Sequence, residues 1–128
     1  MRFGLTSLLI AGASLLATPN FAETGGAIRI LIQSSPLAGS QYYKLDALSL
    51  RIKAGDRLEL VREPENRHDR NAVRVLWQGE PLGYLPRKEN RGVAKAMDGR
   101  EPVYASVESL SDYPDPWKRL RISVFIQF

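Results

Sequence analysis

Apolar and polar side chains alternate with a period of two along several short stretches, which is typical of β-strands with one buried face. The alternation is strictest at the C-terminus, where Leu120, Ile122, Val124, Ile126 and Phe128 are separated by single residues. It continues to the last residue, so we expect the C-terminus to be fixed in a sheet. Weaker alternation predicts further strands at residues 27–33, 48–52, 58–62, 73–77, 82–85 and 103–108.

One stretch has helical spacing instead. Val93, Ala96 and Met97 share one face of a helix, and Gly99 is placed to end it. The basic residues Arg87 and Lys88 precede this face and could meet phosphate at the start of the helix. Six or seven strands and one short helix predict an all-β fold, a small closed or nearly closed β-barrel that resembles an OB-fold.

The first 22 residues are patterned differently from the rest. Arg2 precedes an apolar run at residues 5–17, and residues 18–22 break this run before Glu23. This is typical of a secretory signal peptide, and we expect cleavage after Ala22 and a periplasmic or secreted product. The run is short for a membrane span, which needs roughly 20 apolar residues. Residues 23–128 are then expected to form a single barrel domain, with an uncleaved membrane anchor as the alternative.

Composition limits the available chemistry. The absence of cysteine excludes disulfides, thiolate metal sites and a cysteine nucleophile. His68 is the only histidine, no G-x-S-x-G motif occurs, and the carboxylates are scattered, so we expect no enzyme, no metal site and no cofactor. The net charge of +4 is compatible with polyanion binding.

Residues 63–71 separate two predicted strands and contain no apolar side chain except that of Pro64. Asn66, His68 and Asp69 lie in this predicted hairpin tip. One interpretation is structural: Pro64 fixes a turn and Asp69 accepts a bond from a backbone N–H nearby. The other interpretation is that Asn66, His68 and Asp69 contact a ligand, and the residues alone leave both open.

Aromatic and basic residues recur along the chain. Tyr42 and Tyr43 are adjacent, and in a strand one of the two would face outward and could stack on a base. Small barrels that bind single-stranded nucleic acid combine a cationic groove with stacking aromatics. The candidate side chains are Tyr42, Tyr43, Tyr84, Trp117, Arg62, Arg67, Arg70, Arg74, Arg87, Lys88 and Arg91.

The stretch from Gly55 to Val75, with R-E-P-x-N-x-H-D-x-N-A-V at residues 62–73, resembles the HIRAN domain family. L-G-Y-L-P-R at residues 82–87 and G-x-x-Y-Y at residues 39–43 match the same family. The resemblance covers nearly all of residues 28–128. It implies an OB-like barrel, which in eukaryotes accompanies DNA-remodelling helicases and grips the 3′-hydroxyl end of single-stranded DNA.

The resemblance also implies roles for matching residues. Tyr42, beside Tyr43, would stack on a terminal base, and Asp69 would accept a hydrogen bond from the 3′-hydroxyl group. His68 stands where an aromatic ring usually packs on the end nucleotide, and Asn66 belongs to the same loop. Arg87 would meet phosphate, and Trp117 would supply a second stacking surface.

Three functional hypotheses follow. The first is a monomeric module that binds single-stranded DNA or a similar polyanion. The second is an exported protein- or glycan-binding module that keeps the barrel without binding DNA. A hydrolase that uses His68 is a distant third.

Overall fold

The computed structural model describes residues 28–40, 43, 45–112, 114 and 118–128. Strands dominate these residues, as the alternation predicts. The elements in chain order are β1 (Arg29–Pro36), α1 (Leu45–Leu48), β2 (Arg57–Glu63), β3 (Ala72–Trp77), β4 (Glu80–Tyr84), α2 (Arg91–Asp98), β5 (Val103–Leu110) and β6 (Leu120–Gln127).

Within the described ranges the strands form one antiparallel sheet with the order β1-β6-β5-β2-β3-β4. The edge strands β1 and β4 are connected just beyond the end of β1. The Ala38 N–H donates to the Tyr84 carbonyl at 2.8 Å, and the Tyr84 N–H donates to the Ala38 carbonyl at 2.9 Å. The sheet is therefore a nearly closed barrel joined at one end by this bridge, which confirms the predicted fold class.

Gly83 makes this bridge possible. Its φ of 150° is unfavourable for other residues, and a Cβ atom here would lie 2.6 Å from the Ala38 carbonyl oxygen. The pairing of β3 with β4 also shifts register between Val75 and Leu76. Both alternatives that a glycine inside a strand suggests, a bulge and a close backbone approach, thus occur together.

The barrel interior is filled by side chains from alternating strand positions. Val73 and Val75 of β3 are fully buried, as are Ile122 and Val124 of β6. Helix α2 adds Val93 and Ala94 to this core, and Met97 packs against it. Gly99 ends the helix, and its N–H donates to the Lys95 carbonyl at 3.0 Å. The predicted helix is therefore confirmed.

The predicted strand at residues 48–52 is wrong. Leu45–Leu48 forms the short helix α1, followed by a turn in which Leu50 is 94% exposed. The buried positions are Leu45, Leu48 and Ile52, whose spacing of three and four residues is helical. Leu50 is apolar but does not belong to this buried set, and Leu45 does. The alternation of Leu48, Leu50 and Ile52 was therefore mistaken for the pattern of a strand.

The first strand exists, but its predicted burial is wrong. Ile28, Ile30 and Ile32 are 61%, 50% and 37% exposed, whereas Gln33 and Ser35 are buried. A register shift between Leu31 and Gln33 disturbs the alternation. The first half of β1 pairs with residues 125–127 of β6, beyond the part of β6 that lines the core. Its isoleucines therefore have no opposing layer to pack against among the described residues.

The C-terminus is fixed as predicted, because the Phe128 N–H donates to the Ile28 carbonyl at 2.9 Å. Among the helices that the structure describes, none is long and apolar enough to cross a membrane. The predicted signal peptide, residues 1–22, lies outside the described residues.

Candidate nucleic-acid interface

The loop between β2 and β3, residues 64–71 (the hairpin loop), is organised by its own side chains. Asn66 Oδ1 accepts hydrogen bonds from the backbone N–H groups of His68, at 2.9 Å, and Asp69, at 3.2 Å. Asp69 Oδ1 accepts from the Asn71 N–H at 2.9 Å. Local bonds of this kind replace strand pairing at turns. The structural interpretation, in which Asp69 accepts a bond from a nearby backbone N–H, is therefore confirmed, and Asn66 plays a similar part.

Glu63, the last residue of β2, connects this loop to the barrel wall. Its Oε1 accepts hydrogen bonds from Asn66 Nδ2 at 3.0 Å and from the Tyr84 hydroxyl group at 2.9 Å. Its Oε2 forms an ion pair with Arg74 at 2.8 Å. One carboxylate thus fixes groups from the hairpin loop, β3 and β4.

These contacts set the charge states around Glu63. Burial raises the pKa of Glu63, but the hydrogen bonds from Asn66 and Tyr84 and the charge of Arg74 outweigh it, so the pKa falls below its ordinary value. Burial raises the pKa of Tyr84, and its hydrogen bond to Glu63 acts in the same direction. At neutral pH Glu63 is therefore ionised and Tyr84 remains a neutral phenol.

A second connection ties the hairpin loop to helix α2. Asn90, at the N-cap position, is only 1% exposed, and its side chain makes no capping bond. Its Nδ2 instead donates to Asp69 Oδ2 at 2.7 Å, whereas its Oδ1 has no hydrogen-bond partner among the described residues. At the other end of the helix, Arg62 pairs with Asp98 at 3.0 Å. The helix is therefore tied at its first end to the hairpin loop and at its last end to β2.

Between the hairpin loop and the bridge that joins the barrel lies a pocket of about 400 Å³, the end pocket. Tyr43 and Tyr84 form an aromatic side, with ring centroids 6.5 Å apart and an interplanar angle of 52°. The residues that line the end pocket are Ala38, Tyr43, Asn66, His68, Asp69, Ala72, Tyr84, Leu85 and Arg87.

The end pocket adjoins a groove of about 450 Å³ along the hairpin loop, the loop groove. The two share Asn66, His68, Asp69 and Arg87. The loop groove adds the guanidinium groups of Arg67 and Arg70 and the side chain of Asn71. An apolar and aromatic pocket thus opens into a channel with a basic lining.

The family resemblance predicts seven site residues, and five of them line the end pocket: Tyr43, Asn66, His68, Asp69 and Arg87. Tyr42 and Trp117 lie outside the described residues. Tyr43 lies in a turn, where its N–H donates to the Ser40 carbonyl at 3.1 Å, and not in a strand as predicted. Arg87 and Lys88 belong to the turn before α2, which begins only at Arg91.

The sequence interpretation missed Glu63 and Asn90, which support the pocket. Glu63 appeared to be an ordinary loop charge, and Asn90 a polar residue within a basic segment. The available signal was the position of Asn90 directly before a predicted helix, where asparagine is a favoured N-cap. That signal indicates capping, however, and the actual partner, Asp69, is 21 residues away in sequence.

Among the described residues, no group of three or more histidine, aspartate or glutamate side chains is arranged to hold a metal ion. The site as described consists of aromatic rings, hydrogen-bonding groups and guanidinium groups. This is the chemistry of binding a planar or phosphate-bearing ligand.

Solved structures with a similar fold include the crystal structure of a protein from Lactobacillus plantarum. It is 26% identical, has a TM-score of 0.67, and the match covers 80% of this chain and 98% of that one. The crystal structure of the HIRAN domain of human HLTF is 19% identical with a TM-score of 0.57, over 77% of this chain and 78% of that one. At this level of identity, the similarity to the HLTF domain is a similarity of fold alone.

A comparison with curated proteins finds no match. The family model of the HIRAN domain matches residues 30–128, which include every described element except the first residue of β1. This match agrees with the resemblance carried by the hairpin loop and by residues 82–87. The chain therefore belongs to the HIRAN domain family.

Proposed function

We propose that this domain binds single-stranded DNA, or a closely similar polyanion, and holds a 3′-hydroxyl end in the end pocket. The observation that carries the proposal is the convergence of Tyr43, His68, Asp69 and Arg87 on one pocket that opens into the basic loop groove. A terminal nucleotide would occupy the end pocket, and the preceding phosphates would follow Arg67 and Arg70.

The Tyr43 and His68 rings supply surfaces for a base. His68 is exposed, and the hydrogen bond described for it is made by its backbone N–H, which leaves the ring accessible. Stacking on an aromatic ring contributes about 1–3 kcal/mol per base and tolerates any base. The expected recognition is therefore independent of sequence, and the Arg87 guanidinium group would meet a phosphate.

Asp69 supplies the preference for a hydroxyl end. Among the described residues, each of its carboxylate oxygens accepts one bond, from Asn71 or Asn90, which leaves a further acceptor position on each. The 3′-hydroxyl group of a terminal deoxyribose can donate to such an oxygen. A terminal phosphate in the same place would bring a second negative charge to a carboxylate, which is unfavourable.

The direct test compares matched oligothymidylates that end in a 3′-hydroxyl or a 3′-phosphate group, using fluorescence anisotropy. We expect at least about tenfold tighter binding of the hydroxyl end, equivalent to about 1.4 kcal/mol. Equal affinity for the two ends would contradict end recognition. Binding that appears only at millimolar concentration would contradict the DNA proposal as a whole and favour the protein- or glycan-binding alternative.

Asp69→Asn separates recognition from folding. The Asn90 amide can rotate by roughly 180° around its Cβ–Cγ bond, so that its Oδ1 accepts from the introduced Nδ2 at position 69. The oxygen retained at position 69 still accepts from the Asn71 N–H. We therefore expect this variant to fold normally and to lose the discrimination against a 3′-phosphate. Glu65→Gln removes a charge from the same loop outside the end pocket, and it should leave the discrimination intact.

The compartment is part of the proposal. We propose that residues 1–22 are a cleaved signal peptide and that the domain meets its ligand in the periplasm or outside the cell. Mass spectrometry of the mature N-terminus after cell fractionation tests this. A protein that begins at Glu23 in the periplasmic fraction is the expected result, and an intact Met1 in the cytoplasmic fraction would contradict it.

A further inference from the structure

A second group of aromatic and basic residues lies on the outer face of the sheet. Phe125 of β6 pairs in register with Tyr104 of β5, and their rings stack with centroids 6.2 Å apart and an interplanar angle of 29°. The Arg29 guanidinium carbon lies 4.6 Å from the centre of the Phe125 ring, and that of Arg57 lies 5.0 Å from the centre of the Tyr104 ring. We call these four side chains the arginine–aromatic ladder.

The guanidinium groups of the ladder lack the ion pairs that several other described arginines form. Arg62, Arg74 and Arg121 form ion pairs with Asp98, Glu63 and Glu108. Neither Arg29 nor Arg57 forms an ion pair with a carboxylate of the described residues, and both are exposed. Their positive charges are therefore not neutralised by the described protein around them.

Both guanidinium groups are nevertheless held in place. Each lies over an aromatic ring, which restricts its movement, and Arg29 Nε also donates to Gln127 Oε1 at 2.9 Å. A stacked guanidinium keeps its remaining N–H groups at the edge of the plane, where they can bond two oxygens of one phosphate. Because the side chains are already ordered, less conformational entropy is lost when an anion binds.

The ladder borders a pocket of about 370 Å³ that is also lined by Gly55, Ser106 and Gln127, and no described carboxylate lines it. Gly55 leaves open space, since a Cβ atom there would meet nothing within 4 Å in the described part of the chain. The Ser106 and Gln127 side chains add uncharged hydrogen-bonding groups. The lining thus suits a phosphodiester, because its anionic oxygens can accept hydrogen bonds from the guanidinium groups and from the uncharged side chains.

The ladder is separate from the end pocket, and the two share no described lining residue. Arg57 begins β2 and Glu63 ends it, so six residue steps, about 20 Å of strand, separate the two regions. A stacked single strand advances roughly 3.4 Å per phosphate, so about six nucleotides cover this length. One OB-type fold typically covers about 4–16 nucleotides.

We infer that the arginine–aromatic ladder is a second contact for single-stranded nucleic acid, and that it binds internal phosphates several nucleotides from the end. This inference rests on the proposed function in that it needs a bound strand. It assigns the two regions different tasks: the end pocket distinguishes the terminal group, and the ladder contributes affinity that depends on strand length and on salt.

The test measures the binding of a trinucleotide and a dodecanucleotide, both oligothymidylates with a 3′-hydroxyl end, to the full chain and to Arg29→Gln/Arg57→Gln. We expect the double variant to bind the dodecanucleotide at least about tenfold more weakly at low salt. Its dependence of log affinity on log salt should be shallower by roughly 0.7 for each phosphate that the variant no longer neutralises. The trinucleotide, which is too short to span both regions, should bind with unchanged affinity.

Arg51→Gln is the matched control. Arg51 is also exposed and also lies over a ring, 5.2 Å from the centre of Trp77, but it does not line this pocket. The substitution removes one positive charge and one cation–π contact, as each single ladder substitution does, and it should leave both oligonucleotides binding as before. Circular dichroism and thermal unfolding of each variant verify that the barrel is intact.

Several outcomes would overturn the inference. They are an equal loss of affinity for both oligonucleotides, a loss that Arg51→Gln reproduces, and unchanged dodecanucleotide binding with loss of binding to phosphatidylglycerol vesicles. The last result would assign the ladder to a membrane surface. If the dodecanucleotide binds without preference for a 3′-hydroxyl end and still depends on Arg29 and Arg57, the proposed end recognition fails while the ladder stands.

Discussion

The end pocket and the arginine–aromatic ladder fix their polar groups by opposite means. At the end pocket, Asp69 and the supporting residue Glu63 each accept two of the hydrogen bonds described above, so each carboxylate has a set orientation. In the ladder, Arg29 and Arg57 lie over rings and form no ion pair with a described carboxylate. Hydrogen-bonded networks are directional, whereas a cation over a ring keeps its charge available to a further anion. The first arrangement suits selection of one chemical group, and the second suits any phosphate.

The difference predicts unequal sensitivity to substitution. The end pocket depends on the backbone bridge between Ala38 and Tyr84 and on buried polar partners, so single changes there should affect stability as well as binding. The ladder lies on the outer face of four adjacent, hydrogen-bonded strands, so changes there should affect binding with little effect on stability. Four substitutions test this contrast, from the largest expected change in unfolding free energy to the smallest.

Gly83→Ala should have the largest effect. The new Cβ atom would lie 2.6 Å from the Ala38 carbonyl oxygen, at a φ of 150° that alanine rarely adopts. Backbone strain costs about 1–3 kcal/mol and overpacking a similar amount. We expect the urea midpoint to fall accordingly and binding in the end pocket to weaken. Gly92→Ala is the control, because its Cβ atom would meet no described atom within 4 Å and alanine favours the helix by roughly 0.5–1 kcal/mol.

Asp69→Ala should come next. It removes the acceptors for the Asn71 N–H and for Asn90 Nδ2, and it leaves the buried Asn90 side chain without a described partner at either polar atom. An unsatisfied buried polar group costs about 1–3 kcal/mol. Chemical denaturation should show a loss of this size, together with loss of the 3′-hydroxyl preference. A variant as stable as Asp69→Asn would show that the tie to α2 is unimportant.

Glu63→Gln should destabilise the protein by about 1–2 kcal/mol at neutral pH, because it removes the charged partner of Arg74. The pKa of Glu63 is lower in the folded protein than its ordinary value of 4.5. Its contribution to stability is therefore present above that value and is lost as the pH falls through the lower folded pKa. The difference from the unsubstituted protein should shrink in denaturation curves recorded at pH values progressively below 4.5. A constant difference at all pH values would contradict this assignment.

Arg57→Gln should have the smallest effect on stability, less than about 1 kcal/mol, which is the scale of an exposed cation–π contact. Thermal unfolding should detect little change, whereas dodecanucleotide binding should weaken. A loss of stability comparable with that of Asp69→Ala would mean that the ladder supports the fold, and the contrast between the two regions would disappear.

Most of the barrel and much of the end pocket could be predicted from the sequence. The alternation in β2, β3, β5 and β6 is set by side chains that face either the core or water, so each strand can be found locally. The short-range hydrogen bonds of Asn66 and Asp69 likewise depend on neighbours in sequence. The family resemblance then identified five of the residues that line the end pocket.

Contacts between residues that are remote in sequence became known only from the folded chain. The exposure of Ile28 and Ile30 follows from their pairing with Phe128 and Ile126, and the tie between Asp69 and Asn90 spans 21 residues. The ladder joins side chains from four strands, and nothing in the local pattern of Arg29 indicates which ring it will cover. Local patterns report which side chains share a face, whereas register and strand order determine whether that face is covered and what it touches.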